Sequence, residues 1–193
     1  MRINLVVSNT IVRISKCSFV NNYATKYGGA VFVRSNADVD GRVYIKYSVF
    51  TNNVATKSGQ ALHVDDHTGQ LRNINITSNS THLADHLYAV GRQNMIARDV
   101  SISLLDSRYI RSAMSMNVVT LKSRRGITWL NRVKYECPAH SNAKLDQDFR
   151  YQALRKQGRR VMHRFITSYE GTCETCRSDH YSLAKGMHFF MFQ

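Results

Sequence analysis

Proline is nearly absent: Pro138 is the only one in 193 residues, and ten glycines are too few for a flexible linker protein. Long apolar runs are missing as well. None approaches the ~18 residues a membrane helix needs. After Met1-Arg2, the polar Asn4, Ser8 and Asn9 interrupt what would have to be the apolar part of a signal peptide, so no targeting segment is read. Acidic residues are scarce, 13 against 27 Lys and Arg. The imbalance is uneven: residues 1–90 carry a net +4 and residues 91–193 a net +10. The excess gathers in Lys122–Gly126 and Leu154–Arg160, so Arg124, Arg125, Arg159 and Arg160 are the candidate polyanion contacts. No zinc-finger, homeodomain or RNA-recognition pattern surrounds them, and nucleic acid is not the expected partner. A 43% apolar content excludes wholesale disorder. The length fits one domain, or one with a small appendage. The chain ends in the apolar FFMFQ, and both ends look like cuts through a longer protein.

What is present is a repeat. FVNNYATKYGGAVFV (Phe19–Val33) returns 31 positions later as FTNNVATKSGQALHV (Phe50–Val64), and Val12–Val33 matches Val43–Val64 at eleven of 22 positions. Weaker echoes follow at a shift of 26, setting Asn79 on Asn53 and Val90 on Val64, and VSISLL (Val100–Leu105) looks like the opening strand of a fourth unit. VRIS, VYIK, INIT and VSIS alternate apolar and polar with β-branched residues, the period of a half-buried strand. Asn-Asn and Gly-Gly between them tolerate the left-handed backbone of a sharp corner. Short strands and corners in a unit of this size predict a solenoid coil, stacked so that neighbours bury a common core. Phe19 is then expected on Phe50, and Asn22 on Asn53.

Phe19-x-x-Asn22 with Gly28-Gly29-Ala30-Val31, and Phe50-x-x-Asn53 with Gly59-Gln60-Ala61-Leu62, resemble the FxxN and GGA-[ILV] repeats of polymorphic outer-membrane proteins. The resemblance covers roughly Val12 to Leu105. Gln60 replaces the second glycine, and Ile76 stands where the third coil should have phenylalanine. It implies a right-handed parallel β-helix over residues 1–125, of pectin-lyase-like architecture, and a large extracellular or cell-surface protein.

Residues 126–193 are expected to form a basic cysteine-bearing module. CETCRSDHYSLAKG, from Cys173, resembles the C-x-x-C-x4-Y-S segment of ephrin-receptor-like cysteine-rich modules. Together the two resemblances imply a secreted, disulfide-bonded tail in which Cys137 pairs with Cys173 or Cys176. Zinc held by Cys137, His140, Cys173 and Cys176 is the competing reading. A thioredoxin-like pair is disfavoured because no βαβ pattern surrounds Cys173. Cys17 reads as a small buried hydrophobe.

For catalysis the sharpest candidate is HVDDH, His63 to His67, since β-helical enzymes cleave acidic polysaccharides with paired carboxylates. Asp65 and Asp66 are adjacent and point to opposite sides of a strand. The supporting carboxylates and lysines are missing from neighbouring coils, so no catalytic residue is assigned. His82 and His86 are four apart, but in a corner and strand rather than on a helix. Asn75-Ile-Thr77 and Asn79-Ser-Thr81 are glycosylation patterns; Asn75 should face outward and Asn79 lie buried on the corner ladder. The expectation is a non-enzymatic adhesion or matrix module with no cofactor. Its partners would be extracellular matrix, a cell-surface protein or acidic polysaccharide. The alternative is a β-helix that binds or cleaves acidic glycans.

Overall fold

The computed structural model describes residues 1–5, 10–35, 41–65, 68–79, 84–105, 115–138, 141–156, 159–175 and 187–190; at 3–5, 35, 151–156, 159–164, 175 and 187–190 it describes the backbone alone. In chain order the strands are β1 (Arg2–Leu5), β2 (Ile11–Ser15), β3 (Ser18–Val20), β4 (Tyr23–Ala24), β5 (Val31–Ser35), β6 (Arg42–Thr51), β7 (Val54–Ala55) and β8 (Leu62–Asp65). They continue as β9 (Thr68–Ser78), β10 (Leu87–Gly91), β11 (Met95–Leu104), β12 (Ser115–Ser123), β13 (Thr128–Glu136), β14 (Ser141–Lys156), β15 (Arg159–Thr175) and β16 (Met187–Phe190). Among the described residues there is no helix, and so none long and apolar enough to cross a membrane.

The strands fall into two large sheets and one small one. The first sheet runs β1-β5-β8-β10-β12-β15-β14, the second β16-β13-β11-β9-β6-β2, and β4 pairs β7 in a third. Up to β13 every pairing is parallel, and the chain passes from one sheet to another and returns one strand further along.

The 31-residue shift is the register itself. Val12 pairs with Val43, Phe19 with Phe50, Ala24 with Ala55 and Val33 with Val64. The Phe19 and Phe50 rings stack at 5.0 Å and 12°. The column continues inward as Ile76, Ile102 and Tyr135, and Phe50 and its three successors are buried. Asn53 is 2% exposed, and both polar atoms of its side chain have partners. Its Oδ1 accepts from the Asn22 backbone N–H (3.0 Å) and Nδ2 (2.8 Å), and its own Nδ2 donates to the Phe19 carbonyl (2.8 Å). Asn21, Asn52, Gly28 and Gly59 have φ between 51° and 64°, as the corner reading requires.

Three details differ from expectation. The shift of 26 holds in the second sheet, where Phe50 meets Ile76, but in the first sheet Val64 meets Ala89, not Val90. One residue fewer between Ile76 and Leu87 moves Ala89 onto the core face; at a shift of 26 the strand would present its other side. Asn79 is exposed rather than buried on the ladder, and its backbone N–H donates to Asn52 Oδ1 (3.0 Å). VSIS is the second half of β11, which already begins at Met95.

Pairing continues across residues 125 and 126: β13 joins β11 in parallel, and β15 joins β12 antiparallel. The β14–β15 hairpin and β16 therefore end both sheets with antiparallel strands. Tyr135, last in its column, donates its hydroxyl to the Lys144 carbonyl (2.6 Å) and packs on Gly171, where a Cβ would lie 2.6 Å from its ring.

Candidate functional site

On the core face of the first sheet, Val31, Val33, Leu62, Val64, Leu87, Ala89, Val119 and Leu121 are all buried. The alternate positions face outward, and there the repeat has placed rings: Phe32, His63 and Tyr88 occupy equivalent sites on β5, β8 and β10. Phe32 and His63 stack at 5.2 Å, His63 and Tyr88 at 4.5 Å, and Tyr27 packs on both Phe32 (6.0 Å) and His63 (5.0 Å). The rings cover each other's faces, and that packing leaves Phe32 and His63 only 7% and 6% exposed. Burial, helped by the nearby Arg34 guanidinium, lowers the His63 pKa to about 4, so the imidazole is neutral. Its Nδ1 lies 3.3 Å from Ser58 Oγ. Ser58 also bonds the buried Asp85 carboxylate, which accepts from the Gly59 N–H (3.1 Å) and the Thr120 hydroxyl. Burial raises the Asp85 pKa. Asp85 thus satisfies the corner's donors, and it sits on Ser58 rather than on the imidazole, which is not the order of a serine–histidine–acid relay.

Two residues beyond Phe32 and His63 stand Arg34 and Asp65; in the same row Val90 follows Tyr88, and Lys122 comes next. Asp65 lies between Arg34 (3.8 Å) and Arg124 (3.4 Å). Lys122, on the next strand but one, pairs with Glu170 of the hairpin. At the other end the Arg2 guanidinium stands 5.5 Å over the Phe32 ring. Three depressions adjoin along this face. One of about 600 Å³ is bounded by Arg2, Tyr27, Phe32 and Arg34, and one of about 200 Å³ by Tyr27, His63, Asp65 and Tyr88. The third, about 300 Å³, lies between Tyr88, Lys122, Arg124 and Asp148. The first and second share Tyr27, Phe32 and Arg34, and the second and third share Tyr88, so they follow one another across the strands as a segmented groove.

The sequence reading saw Asp65 and Arg124 but not that they meet, since 59 residues separate them. It also missed the ring ladder, which is legible in two copies, where Phe32 and His63 directly precede Val33 and Val64, but in the third Tyr88 precedes Ala89. Asp66, His67, His82, His140 and Cys176 lie outside the described residues. Arg125 is exposed, and its carbonyl accepts from Arg150 Nη1 (3.4 Å). Arg159 and Arg160 lie in β15 opposite Lys156 and Arg155, so four cationic positions face each other at the hairpin's far end.

Cys137 and Cys173 form a disulfide with Cα atoms 5.7 Å apart, while Cys17 is a free, half-buried thiol against the core. The disulfide uses two of the four residues of the zinc reading, and no metal-binding cluster occurs among the described residues. Asn75 is exposed on β9, facing outward as expected.

A family profile described as the Chlamydia polymorphic membrane protein repeat matches residues 16–34, the span holding the first Phe-x-x-Asn and Gly-Gly-Ala-Val elements. No curated protein and no solved structure matches the chain. The chain is thus a mainly β protein with parallel sheets, carrying a repeat similar to that of chlamydial polymorphic membrane proteins.

Proposed function

We propose that this chain is a non-enzymatic surface or extracellular module, serving adhesion or matrix attachment, and that it holds acidic polysaccharide through its basic side. In this reading the sheets belong to a closed right-handed β-helix over about residues 1–125. The region from 126 onward is an appended basic module, its segment from Cys173 of the ephrin-receptor-like type. The repeat similarity supports the location, because polymorphic membrane proteins carry the matching element. Asn75 is then an available glycan acceptor.

One observation carries the partner. From Phe149 to Ile166 the hairpin has six Lys and Arg and no acidic residue, and the register sets Arg155 on Arg160 and Lys156 on Arg159. Like charges directly opposite destabilise a β pair. A polyanion laid there relieves that repulsion. Cleavage is disfavoured because Asp65 has guanidinium neighbours, which neither give nor take a proton near neutrality.

Heparin chromatography of the full chain tests the reading. The protein should be retained and released by added salt, since screening acts beyond a Debye length of ~8 Å at physiological strength. Replacing Arg124, Arg125, Arg159 and Arg160 by Ala should remove most of that retention. Salt-insensitive flow-through of the unaltered chain would discard the glycan partner. New reducing or unsaturated ends released from polygalacturonate, and lost in Asp65→Asn, would overturn the non-enzymatic assignment.

A further inference from the structure

We propose that the groove on the outer face of the first sheet binds an extended carboxylate-bearing oligosaccharide laid across the strands, with Asp65 as the internal carboxylate that occupies Arg34 and Arg124 until the ligand displaces it. This rests on the acidic-polysaccharide reading above and assigns it a second, structured site away from the hairpin tip.

The groove crosses β1, β5, β8, β10 and β12, whose spacing of ~4.8 Å gives it a length of about 19 Å. It repeats along its length because the coils repeat, so it offers similar contacts at regular intervals to a ligand that is itself a linear repeat. Cations stand at both ends and in the middle: Arg2 over Phe32, Arg34 beside Asp65, then Lys122 and Arg124. Arginine's planar fork can take a carboxylate with a pair of hydrogen bonds, and here Asp65 meets only one nitrogen of each, Arg124 Nη2 at 3.4 Å and Arg34 Nε at 3.8 Å, which leaves donors on both for a ligand. A protein carboxylate between two guanidiniums stands in the place of a ligand carboxylate. The two carboxylates then compete for Arg34 and Arg124, whose side chains are 63% and 53% exposed and so open to a ligand.

The rings favour a sugar over a nucleic acid. Base binding uses exposed aromatic faces as stacking platforms. Here Phe32, His63 and Tyr88 cover each other's faces, and Phe32 and His63 are nearly buried, so the rings make a closed wall with no platform open to a base. Such a wall suits the C–H and hydroxyl rim of a pyranose chain. The neutral His63 adds no charge to it.

Calorimetric titration of the full chain with galacturonate oligomers of two to eight units tests this, alongside heparin chromatography. Affinity should climb with length and level off near the four or so units that fill the groove. Arg34→Gln should weaken binding by about tenfold, as expected for one charge-assisted contact. Asp65→Asn should strengthen it by roughly three- to fivefold, because it removes the competing carboxylate. The control is Asp99→Asn: Asp99 also sits between two arginines, Arg98 and Arg132, but on the second sheet. That variant makes the same charge change and should leave the affinity unaltered. Equal responses to Asp65→Asn and Asp99→Asn would reduce the effect to net charge and overturn the site. So would equal loss of dextran sulfate and galacturonate binding in Arg34→Gln. If heparin retains the unaltered chain and Arg34→Gln binds the oligomers normally, only the groove assignment falls. If heparin does not retain the chain at all, the acidic-polysaccharide reading falls with it.

Discussion

His86 occupies a site built for something smaller. Its backbone carries the ladder that links Ala30, Ala61 and Val118, and its imidazole is fully buried with neither nitrogen hydrogen-bonded. A buried imidazole without partners stays neutral, and burial lowers its pKa to about 4 from 6.5. The unfolded chain therefore binds a proton that the folded chain refuses between those values. Stability from this residue is complete above about pH 6.5, falls as pH drops, and levels off below 4, for a total of about 3 kcal/mol. Replacing His86 with Val, as in the next strand, should change stability little at pH 7.5 and remove that part of the acid loss at pH 4.5. Urea denaturation at the two pH values measures it. The raised Asp85 pKa acts in the opposite direction, but it is common to both proteins and cancels in the difference. An equally steep acid limb in His86→Val would place the sensitivity elsewhere, His63 being the next candidate.

At the scale of the strand, each long element of the second sheet hides a bend. In β6, Val43 and Ile45 are buried, then Ser48 and Phe50; the alternation slips by one residue at Tyr47. Lys46 pairs with Arg72 and Ser48 with Ile74, so Tyr47 and Asn73 face each other outside the ladder. Lys16, Tyr47, Asn73, Asp99 and Arg132 all take φ between 51° and 56° there. A non-glycine residue spends about 1–2 kcal/mol in that conformation, least for Asn and Asp, and Tyr47 is half exposed. Tyr47→Asn should therefore raise the unfolding free energy by about 1 kcal/mol and the melting temperature by several degrees. An unchanged or lower melting temperature would show that the tyrosine ring contributes something the bend costs. This corner also marks where the sequence stopped being legible. The Asn-Asn and Gly-Gly corners announce themselves by composition. Lys, Tyr and Arg do not, and only the phase slip from Val43-x-Ile45 to Ser48-x-Phe50 betrays the turn. Exact repetition made the first two coils readable position by position. The third lost its Phe and one residue of length, which placed Val90 one position out of register. The groove is harder still to read, because Arg34, Asp65 and Arg124 meet only once β5, β8, β10 and β12 lie side by side.

Across the whole molecule, the parallel strands of each sheet are held mainly by their neighbours, so the last strand of each is the weakest unless something closes it. Here closure comes from antiparallel strands on both sheets: β15 on β12 and β16 on β13. An antiparallel edge cannot continue the parallel register, and the hairpin also covers the core end at Tyr135. The Cys137–Cys173 bond ties the end of β13 to β15 across 36 residues, joining the last parallel turn to its cap. Closing a loop of that length restrains the unfolded chain by about 3–4 kcal/mol in the entropic account. The oxidised chain should resist alkylation at these two cysteines, read by intact mass, and reduction should lower stability by that amount. Cys137→Ser with Cys173→Ser should do the same in urea. The loss should also be local. Hydrogen exchange should speed up first in β12, β13 and β15, while β6 and β9, flanked by strands on both sides, keep their protection. Uniform loss of protection along the stack would mean that cap and coils unfold as one unit, and that the disulfide stabilises the molecule rather than its end.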